Sequence, residues 1–207
     1  MSTSRTYRRK PVSSIIFKKL CWTPAFAGAF ALLLLFPLTA HAMNWEIAYP
    51  MSKLSFEGTQ TGTPFTGNFS VFQASVNFDP KKPDSSRIEV NIDVRSAKTG
   101  DKDRDQALPG KDWFNSSAIP FAQLNSTKVR KLSDKKFELT ALLTLKDITH
   151  EVVLPFSMED ERDAQRIKGE LTINRMDYGI GVGTWANETY VKNAVKIKID
   201  LLARPVP

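Results

Sequence analysis

Alternation of apolar and polar residues is the feature that most constrains how this chain can fold. In the stretch AVKIKIDLL, residues 194–202, nearly every second residue is apolar and the residues between are mostly charged. Successive side chains of a β-strand point to opposite faces, so this segment is predicted to be a strand with one dry and one wet face. The alternation alone does not tell whether the dry face contacts packed side chains, a membrane or a bound apolar molecule.

The same alternation recurs through most of the chain after residue 43. The clearest further examples are residues 74–80, 87–94, 136–145, 150–158 and 166–173. Turn signals such as Lys146-Asp147 separate most of these segments, and eight or nine strands are predicted. No sustained helical period is present. The one helix candidate is short, around residues 101–108, with Asp101 as its predicted N-cap.

Short strands with one wet face are typical of antiparallel sheets. A protein with this many strands protects the sheet edges by closing the sheet into a barrel or by stacking two sheets as a sandwich. An all-β fold is therefore predicted. The connection 101–123 is too long for a hairpin turn, and we expect it to cross one end of a barrel and to cap it with Trp113 and Phe114. Charged outer faces would be costly against lipid, which favours a barrel that is apolar inside and charged outside over a transmembrane one.

Residues 1–42 have the three parts of a secretory signal peptide. Six basic residues and no acidic one come first, an uncharged apolar run follows, and AHA at residues 40–42 ends it. We expect cleavage after Ala42, which leaves residues 43–207 as the secreted domain. An N-terminal membrane anchor formed by residues 21–42 is the alternative.

Removal of this leader changes which classes of function the composition allows. The net charge of +7 falls to about +1 without the six basic residues, so the basic composition does not indicate a nucleic-acid-binding protein. The single cysteine, Cys21, and one of two histidines, His41, are removed as well. We therefore predict no disulfide, no cysteine nucleophile, no cysteine-based metal site and no cofactor.

Candidate catalytic groups are few. His150 is interpreted as a surface turn residue, because no Ser-His-Asp arrangement is visible and a lone imidazole does not make a usual zinc site. Asp103 and Asp105 are interpreted as parts of a solvated cap, since calcium loops need more oxygen ligands at set spacing. Arg104 is a candidate to hold a polar head group at a barrel mouth.

One glycine-rich stretch and one aromatic stretch each have two possible interpretations. GIGVG, residues 179–183, lacks the helix that follows a phosphate-binding loop, so we predict a twisted or bulged strand or a close backbone approach to a ligand. PFTGNFSVF, residues 64–72, contains three phenylalanines, and the opposite parity of Phe69 and Phe72 predicts a bulge or break between them. A packed core and a pocket lining are both consistent with these side chains.

Four segments resemble, in order, the motifs of the YceI-like family, and the likeness spans most of residues 44–203. They are VNFDPKKPDSSRIEVNIDVRSAKTGDKDRD, DWFNSSAIPFAQL, LLTLKDITHEVVLPF and INRMDYGIGVGTW. In one departure, Ala107 replaces the usual histidine of the family, and Pro109-Gly110 follows. The resemblance implies a periplasmic, lipocalin-like, eight-stranded antiparallel β-barrel with a short helical cap. The resemblance further implies that the barrel binds a polyisoprenoid or a similar lipid, for example an isoprenoid quinone, and a barrel of eight strands is wide enough to hold one small ligand.

The resemblance also implies a site and a partner. The protein is expected to be a non-catalytic carrier, and LSFEGTQTGTPFTGNF resembles a subgroup that works near a membrane b-type cytochrome. The residues predicted to contact the ligand, with Arg104 and Asp177 near the mouth, are Phe56, Phe65, Phe69, Phe72, Phe78, Val90, Ile92, Arg104, Trp113, Phe114, Leu143, Ile173, Asp177 and Ile197.

Two alternatives stay open from the sequence. The first is an enzyme or accessory factor that acts on a lipid or quinone beside a membrane b-type cytochrome. It would need a base or nucleophile at the pocket, for which only His150, Asp103 and Asp105 are candidates. A packed barrel without a cavity would instead be a protein-interaction module.

Overall fold

Eleven β-strands, one short α-helix and five 3-10 helices make up the regular structure of residues 43–206, the part of the chain that this computed structural model describes. The predicted signal peptide, with Cys21 and His41, lies outside the described residues. The elements are β1 (Asn44–Ile47), β2 (Lys53–Gln60), β3 (Thr63–Phe69), β4 (Phe72–Asn77), β5 (Arg87–Asp93), β6 (Ala97–Lys98), α1 (Lys102–Ala107), β7 (Phe121–Ser133), β8 (Lys136–Leu145), β9 (Ile148–Glu161), β10 (Ala164–Asn174) and β11 (Ala194–Val206).

The strands form a closed antiparallel barrel. The order β1-β4-β5-β7-β8-β9-β10-β11 closes on itself because β1 also pairs with β11, and β2, β3 and β6 continue the sheet from the other half of β11. Three long strands are each divided by a bend into two consecutive segments. These segments are β1 and β2, β3 and β4, and β5 and β6. The prediction of an all-β, eight-stranded antiparallel barrel is therefore confirmed.

Bends explain why eleven strands are observed and eight or nine were expected. A 3-10 turn at Tyr49–Met51 separates β1 from β2, and another at Val94–Ser96 separates β5 from β6. Ser70 and Val71 separate β3 from β4 along the chain, which is the break that the parity of Phe69 and Phe72 predicts. Each bend lets one long strand change its neighbours, as closure of a small barrel requires.

The register of β11 shows what its two faces contact. Ile197 lies opposite Phe56 of β2 and Leu171 of β10, and all three side chains face the barrel interior. On the outer face, Lys198 donates a hydrogen bond of 2.5 Å to Glu57. Exposed ion pairs of this kind contribute little stability, so burial of the inner face holds the barrel together.

An aromatic cluster fills the end of the barrel where β8 begins. The Phe78 ring centroid is 5.1 Å from that of Phe137 and 6.0 Å from that of Phe156, and the latter two rings stack at 5.4 Å. Trp45 lies beside them and donates its Nε1 hydrogen to the Phe78 carbonyl at 2.8 Å. This end of the barrel is therefore closed by packed rings.

The helix α1 lies at the opposite end of the barrel and corresponds to the short helix predicted around residues 101–108. The Asp101 carboxylate accepts hydrogen bonds from the backbone N–H groups of Asp103 and Arg104, at 3.1 and 3.0 Å, which is the predicted N-cap. None of the helices within residues 43–206 has the length and apolar character needed to span a bilayer.

Candidate binding site in the barrel interior

Two adjoining cavities occupy the interior of the barrel. The lower cavity, beside the Phe78 cluster, has a volume of about 130 Å³, and the upper cavity, beneath the loop that follows α1, has a volume of about 100 Å³. Neither cavity exposes a polar atom. We call the residues that line both cavities the waist, and they are Leu54, Ile92, Leu143 and Ile197.

Twelve of the fourteen predicted ligand-contact residues line these cavities. In the lower cavity they are Phe72, Phe78, Val90, Ile92, Leu143 and Ile197. In the upper cavity they are Phe56, Phe65, Phe69, Ile92, Trp113, Phe114, Leu143, Ile173 and Ile197. The prediction that the connection 101–123 caps the barrel with Trp113 and Phe114 agrees with this placement, whereas contact with a ligand stays a prediction.

The two charged residues predicted at the mouth line neither cavity. The Arg104 guanidinium lies 4.6 Å from the ring centroid of Phe65, and its Nη1 donates to the Gln60 side chain at 3.1 Å. Arg104 therefore covers the outer side of a cavity-lining ring. Asp177 is exposed on the outer surface of the barrel, where its backbone carbonyl is 3.0 Å from Nε2 of His150.

Lining residues that the prediction missed fall into two groups. Leu54, Leu139 and Leu171 obey the strand alternation, so their parity was a usable signal. Leu108 and Ile180 come from loops that have no period and reach the upper cavity only through the folding of the chain.

Arg175 is the functional-site residue that sequence reasoning missed most clearly. Its side chain is only 2% exposed and lines the upper cavity. Its five N–H groups donate to five backbone carbonyl oxygens, those of Lys192 at 3.1 Å, Ile180 at 2.8 Å, Gly181 at 2.6 Å, Trp185 at 2.5 Å and Val191 at 2.8 Å. Arg175 thus holds the loop 180–192 as one wall of the cavity.

The charge of Arg175 has no ion-pair partner within the described residues. Burial lowers the pKa of Arg175, and the weaker attraction of Glu188 opposes that shift. An arginine nevertheless stays protonated in proteins, so a positive charge lies beside an apolar cavity.

The GIGVG segment wraps around this arginine and is not a strand, so the prediction of a twisted or bulged strand is wrong. Gly181 has φ +68°, and a Cβ atom there would collide with Arg175 Nη1. Glycine is required because the backbone approaches the guanidinium closely in a left-handed conformation. The close approach that was predicted does occur, but to a side chain of the protein itself.

Trp113 brings a second unusual group to the upper cavity. Its Nε1 is buried and has no hydrogen-bond partner among the described residues. The Arg175 guanidinium lies 5.9 Å from the Trp113 ring centroid, and the Trp185 ring centroid lies 5.8 Å away. Both side chains belong to the wall of the upper cavity although neither exposes a polar atom to it, while the lining of the lower cavity includes no charged residue.

The candidate catalytic side chains lie away from both cavities. His150 is exposed and stands on β9, not in a turn, with its ring edge-on to Tyr178 at 5.0 Å. Burial alone would raise the pKa of Asp105, but hydrogen bonds from the Thr99 backbone and hydroxyl, with the nearby Lys98, outweigh it and lower the pKa. Over residues 43–206, no three His, Cys, Asp or Glu side chains are grouped to hold a metal ion.

Comparison with known proteins identifies the family. The profile of the YceI-like domain matches residues 45–203, and the chain belongs to this family. A UPF0312 protein of Photorhabdus laumondii is 34% identical over 131 residues, which cover 62% of this chain and 66% of that protein. A UPF0312 protein of Pseudomonas aeruginosa is 30% identical over 120 residues, covering 55% and 62%. The matched region thus spans just under two thirds of these relatives.

Solved structures share the barrel. BcnA of Burkholderia cenocepacia is 31% identical with a TM-score of 0.73, over 76% of this chain and 99% of BcnA. The YCEI protein of Campylobacter jejuni has 21% identity and a TM-score of 0.59, over 68% and 84%. A polyisoprenoid binding domain from Saccharophagus degradans has 16% identity and a TM-score of 0.58, over 80% and 99%. The last two likenesses show the fold alone.

Proposed function

We propose that this protein is a non-catalytic carrier of a long-chain isoprenoid lipid, held inside the barrel in the periplasm. The observation that carries the proposal is the pair of adjoining cavities that expose no polar atom. Each CH₂ group that a chain buries there contributes roughly 0.8 kcal/mol, so affinity requires no polar contact. The description of the Saccharophagus degradans neighbour as a polyisoprenoid binding domain supports the same class of ligand.

The polar end of the ligand is proposed to lie in the upper cavity. The five N–H groups of Arg175 are all used by backbone carbonyls, and the upper cavity exposes no polar atom that could donate to a ligand. The nearby charge of Arg175 attracts the dipole of a neutral carbonyl group without a direct hydrogen bond, whereas a buried phosphate would require several hydrogen-bond donors. An isoprenoid quinone therefore fits this cavity better than a polyprenyl phosphate, with its tail in the lower cavity.

The placement of the candidate catalytic groups supports a binding role over an enzymatic one. His150, Asp103 and Asp105 line neither cavity. The cavities themselves argue against a fully packed barrel that serves only as an interaction module. Secretion to the periplasm rests on the predicted signal peptide, and the membrane b-type cytochrome partner rests on the resemblance of residues 54–69.

Native mass spectrometry of the protein purified from a periplasmic extract tests this function. We expect a stoichiometric bound mass that organic solvent releases and that chemical analysis identifies as an isoprenoid, with quinones preferred over polyprenyl phosphates in competition. A protein that carries no ligand, and whose mass is unchanged after incubation with quinones and polyprenols, would overturn the proposal in favour of an interaction module.

A further inference from the structure

The seam between β9 and β10 is hydrogen-bonded over only part of its length. Its ladder runs from the pair Glu161 and Ala164 to the pair Phe156 and Gly169 and then stops. Both strands continue beyond that point, β9 back to Ile148 and β10 on to Asn174. Their other edges are paired throughout this region, with β8 and β11 respectively. Residues 148–155 and 170–174 therefore face each other as unpaired edges.

Two residues mark the point where the ladder ends. Pro155 has no backbone N–H and comes directly before the last paired residue of β9. Gly169, the last paired residue of β10, packs against the Pro155 carbonyl so closely that it has no room for a side chain. The separation of the strands therefore begins at a position that the sequence itself specifies.

An outer groove of about 340 Å³ lies between the separated strands, with residues 150–153 on one side and residues 171–174 on the other. Leu171 lines both this groove and the lower cavity, and Ile173 lines both the groove and the upper cavity. Single side chains therefore separate the groove from the interior. Val153 and Leu142, 49% and 41% exposed, place apolar surface on the outer face of β9 and β8.

The upper end of the groove is bridged by side-chain contacts and not by the ladder. Nε2 of His150 on β9 is 3.0 Å from the carbonyl oxygen of Asp177, which follows β10. The edge-on contact of the His150 ring with Tyr178 accompanies this hydrogen bond. One exposed side chain thus bridges the strands where their backbones are apart.

We propose that the β9–β10 groove is a lateral portal through which an apolar chain enters and leaves the barrel. This inference rests on the proposed function, because it concerns the route to the same cavities. Widening the groove breaks no ladder hydrogen bond, whereas parting β8 from β9 would disrupt ten paired positions. The barrel ends offer no easier route, since packed rings fill one and the connection after α1 covers the other.

Cross-linking across the groove tests the portal. Val153→Cys and Thr172→Cys place two outward-facing thiols on opposite sides, in a full-length chain that also carries Cys21→Ser, and a short bismaleimide joins them. The matched control pairs Thr172→Cys with Lys196→Cys, which lie opposite each other across the intact β10–β11 ladder. Uptake of diphenylhexatriene, an apolar rod that fluoresces once it leaves water, is followed by stopped flow.

The cross-link over the groove is expected to slow uptake by about tenfold, because the probe must then pass a seam whose ladder hydrogen bonds have to break. Uptake by the control is expected to stay at the rate of its uncross-linked form. His150→Ala, which removes the bridge, is expected to load about fivefold faster, the effect of losing one hydrogen bond.

Unchanged uptake after cross-linking over the groove would overturn the portal and indicate entry through a barrel end. A wild-type protein that takes up no probe would instead overturn the proposed function, and the portal with it.

Discussion

Gly169 and Pro155 lie in contact across the last rung of the β9–β10 ladder. A Cβ atom on Gly169 would be 2.8 Å from the Pro155 carbonyl oxygen and 3.1 Å from the Phe156 Cβ. Both obstacles belong to the backbone or to its first side-chain atom, so neither yields by a change of rotamer. The close approach of the two strands at this point therefore depends on glycine.

Gly169→Ala is expected to lower the free energy of unfolding by about 1–3 kcal/mol, because the two strands must move apart to admit the methyl group. Urea denaturation measures this difference. Thr172→Ala, on the exposed face of the same strand, is the control and is expected to change stability by about 0.5 kcal/mol or less. A Gly169→Ala protein as stable as wild type would show that the seam is not closely packed there.

Arg175 is expected to be indispensable for the wall formed by residues 180–192. Arg175→Met leaves five carbonyl oxygens without their donor, and Arg175→Lys supplies at most three N–H groups in their place. We expect either change to cost at least about 2 kcal/mol. Hydrogen exchange at residues 180–192 is also expected to accelerate.

Arg204→Met is the matched control for this arginine. Arg204 is exposed and pairs with Asp163 at 3.0 Å, so its replacement is expected to cost about 0.5 kcal/mol or less. Protection of residues 180–192 that is the same in Arg175→Met as in wild type would refute the structural role of Arg175.

The strand alternation was enough to predict an all-β fold and most of the residues that line its interior, because parity assigns each strand residue to one face. The choice of a barrel over a sandwich came from the resemblance to the YceI-like family. Ile92, Leu143 and Ile197 are examples whose inward position follows from parity alone. Arg175 could not be predicted in this way, since its carbonyl partners lie in a loop and follow no spacing rule. The β9–β10 groove could not be predicted either. The effect of Pro155 on a ladder depends on which strand lies beside β9, and the sequence pattern does not tell this.

A larger side chain at the waist is expected to weaken ligand binding while changing the stability of the barrel little. Ile197→Phe adds volume where the two cavities meet, so the ring occupies space that a chain needs to extend through both. We expect affinity for diphenylhexatriene to fall by about tenfold while the free energy of unfolding changes by less than about 1.5 kcal/mol. Fluorescence titration and urea denaturation measure the two quantities.

Lys196→Phe introduces the same side chain on the outer face of the same strand and is expected to leave affinity unchanged. Full affinity in Ile197→Phe would show that the ligand does not extend through the waist.

Several surface carboxylates are expected to make the barrel sensitive to acid. The hydrogen bond from Lys198 lowers the pKa of Glu57, and the hydrogen bond from Arg95 lowers the pKa of Asp93, in each case against a smaller opposing effect of burial. Because these pKa values are lower in the folded than in the unfolded chain, the unfolded chain binds more protons in acid. Their stabilising contribution is complete above about pH 5, where both groups are ionised in the unfolded chain as well, and is lost as the pH falls through the folded-state values.

We therefore expect the midpoint of thermal unfolding to fall below about pH 5, and to fall by a few degrees less in a Glu57→Gln, Asp93→Asn double variant, because exposed ion pairs contribute little each. The double variant is expected to be less stable than wild type at pH 7 and to approach it in acid, since both proteins then lack the two charges. Glu46→Gln, at an exposed position on β1, serves as the control and is expected to follow the wild-type curve. Parallel pH curves for the double variant and wild type would show that these two ion pairs do not contribute to the stability of the barrel.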